Sequence, residues 1–498
     1  MDGLRPYQQQ ALDDIRASVR GGVRRLIVQA ATGAGKTKLA AAIVEGALGK
    51  NGRVAFVVPA ISLVDQTVES FWNEGIRDVG VIQANHEMTD WSKPVQICSI
   101  QTIKRRKFYP EATVVIFDEI HQFHEAHRDW IGHADWQKVP MIGLSATPWT
   151  RGLGKYFDSL LVAATTGDLI QQGYLSKFKV FATGHPDLSG VKLVAGDYHE
   201  TQLSEAMQKG ELTGDIVRTW REKWGRGKTL CFGVDKLHAK SIQERFLHAG
   251  VNCGYQDAET TPIERRDIRK KFHNGEYEVV SNIQTLTTGV DWDVRCLILA
   301  RPTHSEMLYV QIIGRALRTA PGKDFALILD HSDTTQKLGF VTEVHHEQLS
   351  GGQPLTKDSS PRKAPLPKEC KNCSVLKPRA SIKCPNCGHE EKFESSLMER
   401  DGNLVELNGS SGKSKITGKK FELSPMDKAK FLAELKALGI QRGYKPGWAA
   451  QKYKSRVGVW PNHTIEGVPP AKIVSPDTAL WVRAEAVKWA KKQKISHP

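Results

Sequence analysis

No stretch of this 498-residue chain approaches the ~18 uninterrupted apolar residues that a membrane-spanning helix needs. The N-terminal text, MDGLRPYQQQALDDIR, also lacks a basic region followed by an apolar run, so a membrane span and a secretory leader are both unexpected and a cytoplasmic setting is expected. Acidic residues are scarce in one place only. Residues 361–498 hold 27 Lys and Arg against 13 Asp and Glu, whereas residues 1–360 are close to balanced, and the whole chain carries a formal charge of +15. A near-neutral body with a basic C-terminal part suits a polyanion, of which nucleic acid is the commonest inside cells, although a solvated lysine-rich surface accounts for the same letters. Cysteine is sparse as well. Cys98, Cys231, Cys253 and Cys296 are scattered among apolar residues and read as reduced core cysteine, while Cys370, Cys373, Cys384 and Cys387 fall within 18 residues. Disorder is not the expectation, because 40% of residues are hydrophobic and 12 Trp and 16 Phe are present.

Residues 1–345 alternate short β-branched runs with amphipathic stretches. LIVQA (26–30), VAFVVP (54–59), VQICSI (95–100), TVVIFDE (113–119) and MIGLSA (141–146) are apolar enough to be strands buried on both faces of a parallel sheet. KTLCFGV (228–234), VNCGY (251–255), YEVVSN (277–282), RCLILA (295–300) and FALILD (325–330) make a second series. Helical patterns such as 36–48 and 63–75 lie between. The fold class is therefore α/β, with two tandem doubly wound parallel-sheet domains expected over 1–160 and 161–345. A linker (346–368), a Cys module (369–392), a basic connector (393–420) and a small, mostly helical basic domain (421–498) are expected to follow.

AATGAGKT, Ala30 to Thr37, comes directly after an apolar run and opens a helical pattern. The residues Thr32, Gly33, Ala34 and Gly35 let backbone N–H groups wrap phosphates at a helix N-terminus, Lys36 adds a point charge, and Thr37 offers a hydroxyl to Mg²⁺. Asp118-Glu119-Ile120-His121 ends another apolar run. One carboxylate, Asp118, can hold the Mg²⁺ of a nucleotide while Glu119 orients and deprotonates the attacking water. In QIIGRALR the Q-x-x-G-R-x-x-R spacing puts Gln311, Arg315 and Arg318 on adjacent turns of one helical face. ATP and Mg²⁺ are the cofactors that these residues call for.

Together with Ser145-Ala146-Thr147-Pro148, these motifs resemble superfamily 2 helicases of the DExH type, through most of residues 4–331, which implies that both parallel-sheet domains are RecA-like. The resemblance implies adenine recognition by LRPYQQQA through Arg5 and Gln8. It implies a grip on one nucleic-acid strand by Pro59 to Gln66 and by Ser99 to Thr102, with Pro59, Gln101 and Thr102 among the contacts. Ser145, Thr147 and His121 would couple hydrolysis to movement. In TLTTGVDWD, Thr287 and Thr288 would lie near phosphate, and Gly289 and Asp291 would link nucleotide to strand. Arg315 and Arg318 would be arginine fingers, worth ~10³ to 10⁵ in rate. ARPTHSEMLYVQIIGRALRTAPGK (300–323) is most similar to the bacterial RadD-type branch and its phage relatives, which implies a bacterial or phage-infected host. An ATP-dependent DNA helicase or translocase for replication, recombination or repair is the leading expectation, with DNA favoured over RNA. Replication or recombination proteins are possible partners. An ATPase that remodels protein–DNA complexes, an RNA helicase and the motor subunit of a restriction system are the alternatives.

CKNCSVLKPRASIKCPNCGHE, two C-x₂-C pairs ten residues apart, reads as a closed structural Zn²⁺ site, with a redox pair as the alternative. Metal loss is expected to damage the tail and spare the motor. The histidines of HQFHEAHRDWIGH suggest a second metal less well than a solvated turn. Lys104 to Lys107 suit phosphate contact and a solvated face equally. Tyr444, Trp448, Tyr453 and Trp460, interleaved with Lys445, Lys452, Lys454 and Arg456, suit either base stacking or a small core.

Overall fold

The apolar runs become strands of two parallel sheets, seen in a computed structural model that describes residues 3–83, 86–182, 186–194, 197–207, 210–287, 292–352, 365–390, 425–445, 447–475, 477–479, 481–483 and 485–486. In the first sheet, β1 (Arg25–Ala30), β2 (Val54–Val58), β3 (Val79–Ile82), β4 (Val95–Ser99), β5 (Val114–Phe117), β6 (Met141–Ser145) and β7 (Ser159–Ala164) lie in the order β3-β4-β2-β5-β6-β1-β7. Leu26 pairs with Ile142 on one side of β1 and with Ser159 on the other, in parallel register. Alternate residues of β1 serve two cores. Leu26 and Val28 pack with Leu39, Val44 and Phe71, and Ile27 packs with Val57, Phe117 and Trp130. Both faces are covered, which is why the run carries no polar alternation.

The second sheet starts with β8 (Lys177–Ala182). A small hairpin of β9 (Leu193–Val194) and β10 (Asp197–Tyr198) follows, then β11 (Thr229–Phe232), β12 (Cys253–Gln256), β13 (Val279–Asn282), β14 (Cys296–Leu299) and β15 (Phe325–Asp330). Its order is β12-β13-β11-β14-β15-β8, again parallel. Within the two parallel sheets three strands, β3, β7 and β8, lie outside the expected apolar runs, and all three are sheet edges. Edge strands are short or half exposed. β8, KFKVFA, alternates lysine with apolar residues over its first half and so lacks a continuous apolar run. The boundary expected at 160 falls inside β7, whose pairing with β1 makes it part of the first sheet.

By its internal contacts the chain divides into two compact units, Met1–Glu394 and Ser395–Pro498. The Cys module belongs to the first unit. Its hairpin, β16 (Lys368–Glu369) and β17 (Leu376–Lys377), is followed by a second cysteine knuckle, and Val375 bridges to Phe181 of edge strand β8. Cys370, Val375 and Cys384 share a core with Phe181, Trp220 and Phe246, and Lys179 Nζ donates to Asn386 Oδ1 at 2.9 Å. The module is thus packed into the second sheet's edge and sits within the first compact unit rather than with the C-terminal residues. The expected linker is corrected in part. Leu349 joins the core under the first sheet, Gly154 N donates to Ser350 O at 2.9 Å, and Arg151 Nε donates to Gly352 O at 3.0 Å, so residues 349–352 return to the first domain. The basic connector 393–420 lies outside the described residues.

The second unit holds the helices Pro425–Gln441, Trp448–Val457 and His463–Glu466. Its core is Phe431, Leu432, Leu435, Leu438, Tyr453 and Val482, with Trp448 and Trp481 packed against it. Buried Glu434 accepts from Ser475 Oγ at 2.7 Å and from Thr478 Oγ1. Of the aromatics in question, Tyr453 and Trp448 therefore serve the core, while Tyr444 and Trp460 are exposed. No helix among the described residues is long and apolar enough to cross a membrane.

Candidate nucleotide site and metal centre

The loop after β1 turns into the helix Lys36–Leu48 through two glycines with positive φ, Gly33 (87°) and Gly35 (72°). Gly35 is required for space as well. A Cβ there would stand 2.6 Å from Gln8 Nε2. Gln8 is buried, and its amide donates to Ala34 O at 2.9 Å, while Tyr7 OH donates to the same carbonyl at 2.9 Å. The first helix, Pro6–Arg20, thereby fixes the loop's shape, and Arg5 lies over the Tyr174 ring at 4.6 Å.

A cavity of about 470 Å³ opens at this loop. Arg5, Thr32, Gly33, Gly35, Lys36, Thr37, Asp118 and Glu119 line it from the first domain, and Arg315 and Arg318 from the second. Six of the expected ATP-site residues and all four of the expected catalytic carboxylate and arginine positions are thus not merely near in motif but walls of one cleft. Tyr174, Leu175 and Gln66 line it too, and sequence reasoning missed Tyr174 and Leu175 because the text between the two sheets carries no motif.

Lys36 Nζ donates to Glu119 Oε1 at 2.5 Å, and His121 Nδ1 lies 3.2 Å from Glu119 Oε2. Burial by itself would raise the Glu119 carboxyl, but the charge of Lys36 and the contact with His121 hold it well below the usual carboxylate range. Asp118 moves the other way. Burial, with the neighbouring Glu119 charge added, pushes it up to about 6, despite the attraction of Lys36. Glu119 itself sits at φ 46°, a left-handed backbone that a glutamate adopts at a cost of order 1 kcal/mol or more. That turn aims adjacent carboxylates into one cleft. Asp118 and Thr37 both line the cleft and offer it a carboxylate and a hydroxyl oxygen, the hard donors that a divalent cation takes, so they fit Mg²⁺.

The two domains meet beside this cleft. Gln311, on the helix Glu306–Ala316, donates to His121 Nε2 at 3.0 Å and to Thr147 Oγ1 at 3.1 Å. His121 then accepts at Nε2, which leaves its proton on Nδ1, 3.0 Å from Ser145 Oγ. Thr147 N donates to the same Ser145 Oγ at 3.0 Å. The helix approaches the phosphate loop so closely that a Cβ at Gly314 would stand 2.6 Å from Thr32 Cβ. Arg315 Nε donates to Thr287 O at 2.9 Å.

The expected nucleic-acid contacts are less uniform. Pro59 is buried just beyond β2, and Gln101 is exposed. Thr102 is buried, and its hydroxyl lies 2.9 Å from that of Ser99, whose Oγ caps the helix Ile100–Arg106, so Thr102 shapes that helix rather than presenting a free hydroxyl. Thr287 spends its hydroxyl on Gln284 O at 2.6 Å. Thr288, Gly289 and Asp291 lie outside the described residues. Within the histidine cluster, His127 serves the packing: it is buried, stacks on Phe123 at 5.5 Å and accepts from His124 N at 3.0 Å.

The four cysteines of the module converge, with all four Sγ atoms within 4.8 Å of one another. Two pairs, Cys370 with Cys387 and Cys373 with Cys384, stand at 3.7 Å. A disulfide would need about 2.05 Å, whereas tetrahedral ligands at about 2.3 Å from an ion stand about 3.8 Å apart. Each C-x₂-C folds as a knuckle, with Ser374 N donating to Cys370 O and Gly388 N to Cys384 O, both at 2.9 Å. Ser374 (φ 59°) and Gly388 (φ 72°) make the left-handed turns. The donor set fits Zn²⁺.

Comparison with known proteins agrees with this geometry. Residues 2–150 match the family described as type III restriction enzyme, res subunit, and residues 210–320 match the helicase conserved C-terminal domain. A Saccharomyces cerevisiae protein named as the ATP-dependent helicase IRC3 is 31% identical over 353 residues, 66% of this chain and 51% of the yeast protein. The chain thus spans about half the length of that relative. A 51.5 kDa protein of a Lactococcus phage is 26% identical over 76% of this chain and 82% of its own length. Among solved structures, the fragment of an HsdR subunit of a type I restriction enzyme from Vibrio vulnificus shares the fold, with a TM-score of 0.54 at 21% identity over 70% of this chain and 67% of that one.

Proposed function

This chain is a superfamily 2 helicase of the DExH type, an ATP-hydrolysing enzyme that binds nucleic acid, and from that membership we propose that it moves along DNA as a translocase. Unwinding or branch remodelling in replication, recombination or repair is the finer form of the same proposal. The carrying observation is the contact of two domains at one cleft: Gln311 of the second bonds His121 and Thr147 of the first, beside Lys36 and Glu119. A side chain that touches both halves next to the hydrolytic groups turns a local change there into a relative movement of two bodies.

The roles follow from the chemistry of each group. ATP with Mg²⁺ supplies the phosphoanhydride whose cleavage drives the cycle, and Thr37 and Asp118 are the residues that would hold the ion. Lys36, paired with Glu119 before nucleotide enters, keeps that carboxylate too acidic to accept a proton. When Lys36 turns to phosphate, Glu119 loses its strongest stabilising charge, regains basicity and takes the proton of a water in the cleft. Arg315 and Arg318 bring guanidinium forks from the second domain, so full charge stabilisation needs the domains together. Arg5 and Gln8 shape the end of the pocket where a base would sit.

DNA is favoured over RNA by the basic C-terminal quarter and by fold likeness to the restriction-modification enzyme LlaBIII, whose structure was solved bound to DNA and which aligns with a TM-score of 0.51 at 20% identity, over 66% of this chain and 27% of that one. A second reading, the motor subunit of a restriction system, draws on the family match over residues 2–150. The test is ATP hydrolysis with no nucleic acid, single-stranded DNA, duplex, branched DNA and RNA at one fixed salt concentration, because phosphate binding is steeply salt-dependent. Stimulation by one DNA form supports the proposal and identifies the track. Stimulation by RNA alone refutes it, and co-purification with a nuclease or methyltransferase establishes the restriction reading.

A further inference from the structure

The segment beyond the expected arginine fingers contains a lysine that the reading above leaves without a task. Lys323 Nζ donates to three backbone carbonyls: Ala316 O at 2.5 Å, Arg318 O at 2.6 Å and Val294 O at 2.7 Å. Three donors meet three acceptors, so the ammonium is fully used and points inward rather than to solvent. Two of its acceptors, Ala316 and Arg318, belong to the end of the helix Glu306–Ala316 and the turn after it. Helices end with unpaired carbonyls and a partial negative charge, which a buried cation there satisfies on both counts. The third acceptor, Val294, lies at the exit of the TLTTGVDWD segment, just before β14.

The loop that carries Lys323 is itself tied down. Arg295 Nε donates to Asp293 Oδ1 at 3.1 Å, and its other nitrogens donate to Pro321 O at 2.7 Å and Gly322 O at 3.0 Å. From the opposite side, Ser176 N donates to Leu317 O at 2.7 Å and Ser176 Oγ to Arg318 O at 3.1 Å. Leu175, next to Ser176, packs against the phosphate loop: a Cβ at Gly33 would stand 2.8 Å from Leu175 Cδ2 and 3.5 Å from Arg318 Cγ. The backbone of Arg318 is therefore clamped between Lys323 and Ser176, at a point in contact with the phosphate loop. Burial lowers the Lys323 ammonium to about 8, and the cations of Arg295 and Arg318 work in the same direction against Asp293. A cation kept in a costly place, with every proton spent on carbonyls, is a cation used for position.

We propose that Lys323 is the positioning residue of the arginine finger, a buried ammonium that fixes the backbone of Arg318 against the exit of the TLTTGVDWD segment so that its guanidinium meets the nucleotide cleft in register. The proposal rests on the reading of Arg318 as a contact to the reacting phosphates. The test is a double-mutant cycle on the full chain, with Lys323→Met, Arg318→Ala and the pair, read as ATP kcat and KM with saturating nucleic acid. Lys323→Met should lower kcat about ten- to a hundredfold, the size of loss that a misplacement of about 1 Å produces, and leave KM for ATP within a few-fold. In the Arg318→Ala background the same substitution should do little more, and Lys323→Arg, which keeps charge and donors, should recover part of the loss. Should Lys323→Met fail to fold, Lys323→Gln, which retains two donors, carries the same comparison. Undiminished kcat in the folded variant, or a loss that adds fully to that of Arg318→Ala, overturns the assignment of Lys323 alone. Full activity of Arg318→Ala instead removes the reading of Arg318 and the proposal with it.

Discussion

Replacing Gly314 by alanine should uncouple folding from catalysis. Gly314 lies inside the helix Glu306–Ala316 with ordinary helical backbone, so alanine costs nothing locally and favours the helix by about 1 kcal/mol. Its added methyl, however, would stand 2.6 Å from Thr32 Cβ and 2.8 Å from Thr32 Cγ2, where ordinary contact needs 3.4–4 Å. Thr32 sits on the phosphate loop and is held by β1, so the helix must retreat by about 1 Å and take Gln311, Arg315 and Arg318 with it. A shift of that size in groups that meet a transition state costs about a hundredfold in rate. Steady-state ATP hydrolysis with saturating nucleic acid should show that loss in kcat. Binding of a fluorescent nucleotide, which depends on Lys36, Thr37 and Gln8 in the first domain, should stay within a few-fold, and thermal melting should be unchanged or raised. A kcat within twofold of the parent, in a chain that melts normally, would refute the claim that this close approach is needed for hydrolysis.

Glu119→Gln should keep nucleotide binding and lose hydrolysis by at least a hundredfold, since removing a general base costs on the order of 10² to 10⁴; loss of binding would contradict the role given to Glu119. Native protein should carry about one zinc per chain in its Cys370, Cys373, Cys384 and Cys387 site, and Cys384→Ser should lower the melting temperature of the motor itself, because the site shares a core with Phe181 and Trp220. A motor that melts unchanged would show the module to be energetically separate. Three buried histidines should make stability acid-sensitive: burial lowers His127 to about 3, His238 to about 4 and His331 to about 3. Each stays neutral when folded but takes a proton when unfolded below about 6.5. Stability is therefore whole above pH 6.5 and falls as pH drops toward 4, with a combined slope on the order of 4 kcal/mol per pH unit for three groups at 1.36 each. Equal denaturant midpoints at pH 7 and pH 5 would be incompatible with these histidines being buried and neutral.

What the sequence determined by itself was the part of the molecule whose chemistry is local. A phosphate loop needs glycines with left-handed backbone and a lysine in fixed succession, a metal knuckle needs two thiolates three positions apart, and strands buried on both faces must be uninterrupted apolar runs. Those demands act within one turn or one strand, so they leave a legible text, from Ala30–Thr37 to Cys370–Cys387. The tertiary structure decided whatever depends on neighbours distant along the chain. The edge strands β3, β7 and β8 are made by the partner beside them rather than by their own letters. Thr102 and Thr287, which have the letters of phosphate contacts, use their hydroxyls on nearby protein groups. The Cys module looked like an appendage because a linker-like text precedes it, yet Val375 and the lower half of β8 make it a wall of the second domain. Lys323 looked like one more lysine in a basic chain. Only the meeting of three carbonyls, from Val294, Ala316 and Arg318, made it a buried cation, because a hydrogen-bond acceptor set drawn from separate segments has no spacing in sequence by which it can be read.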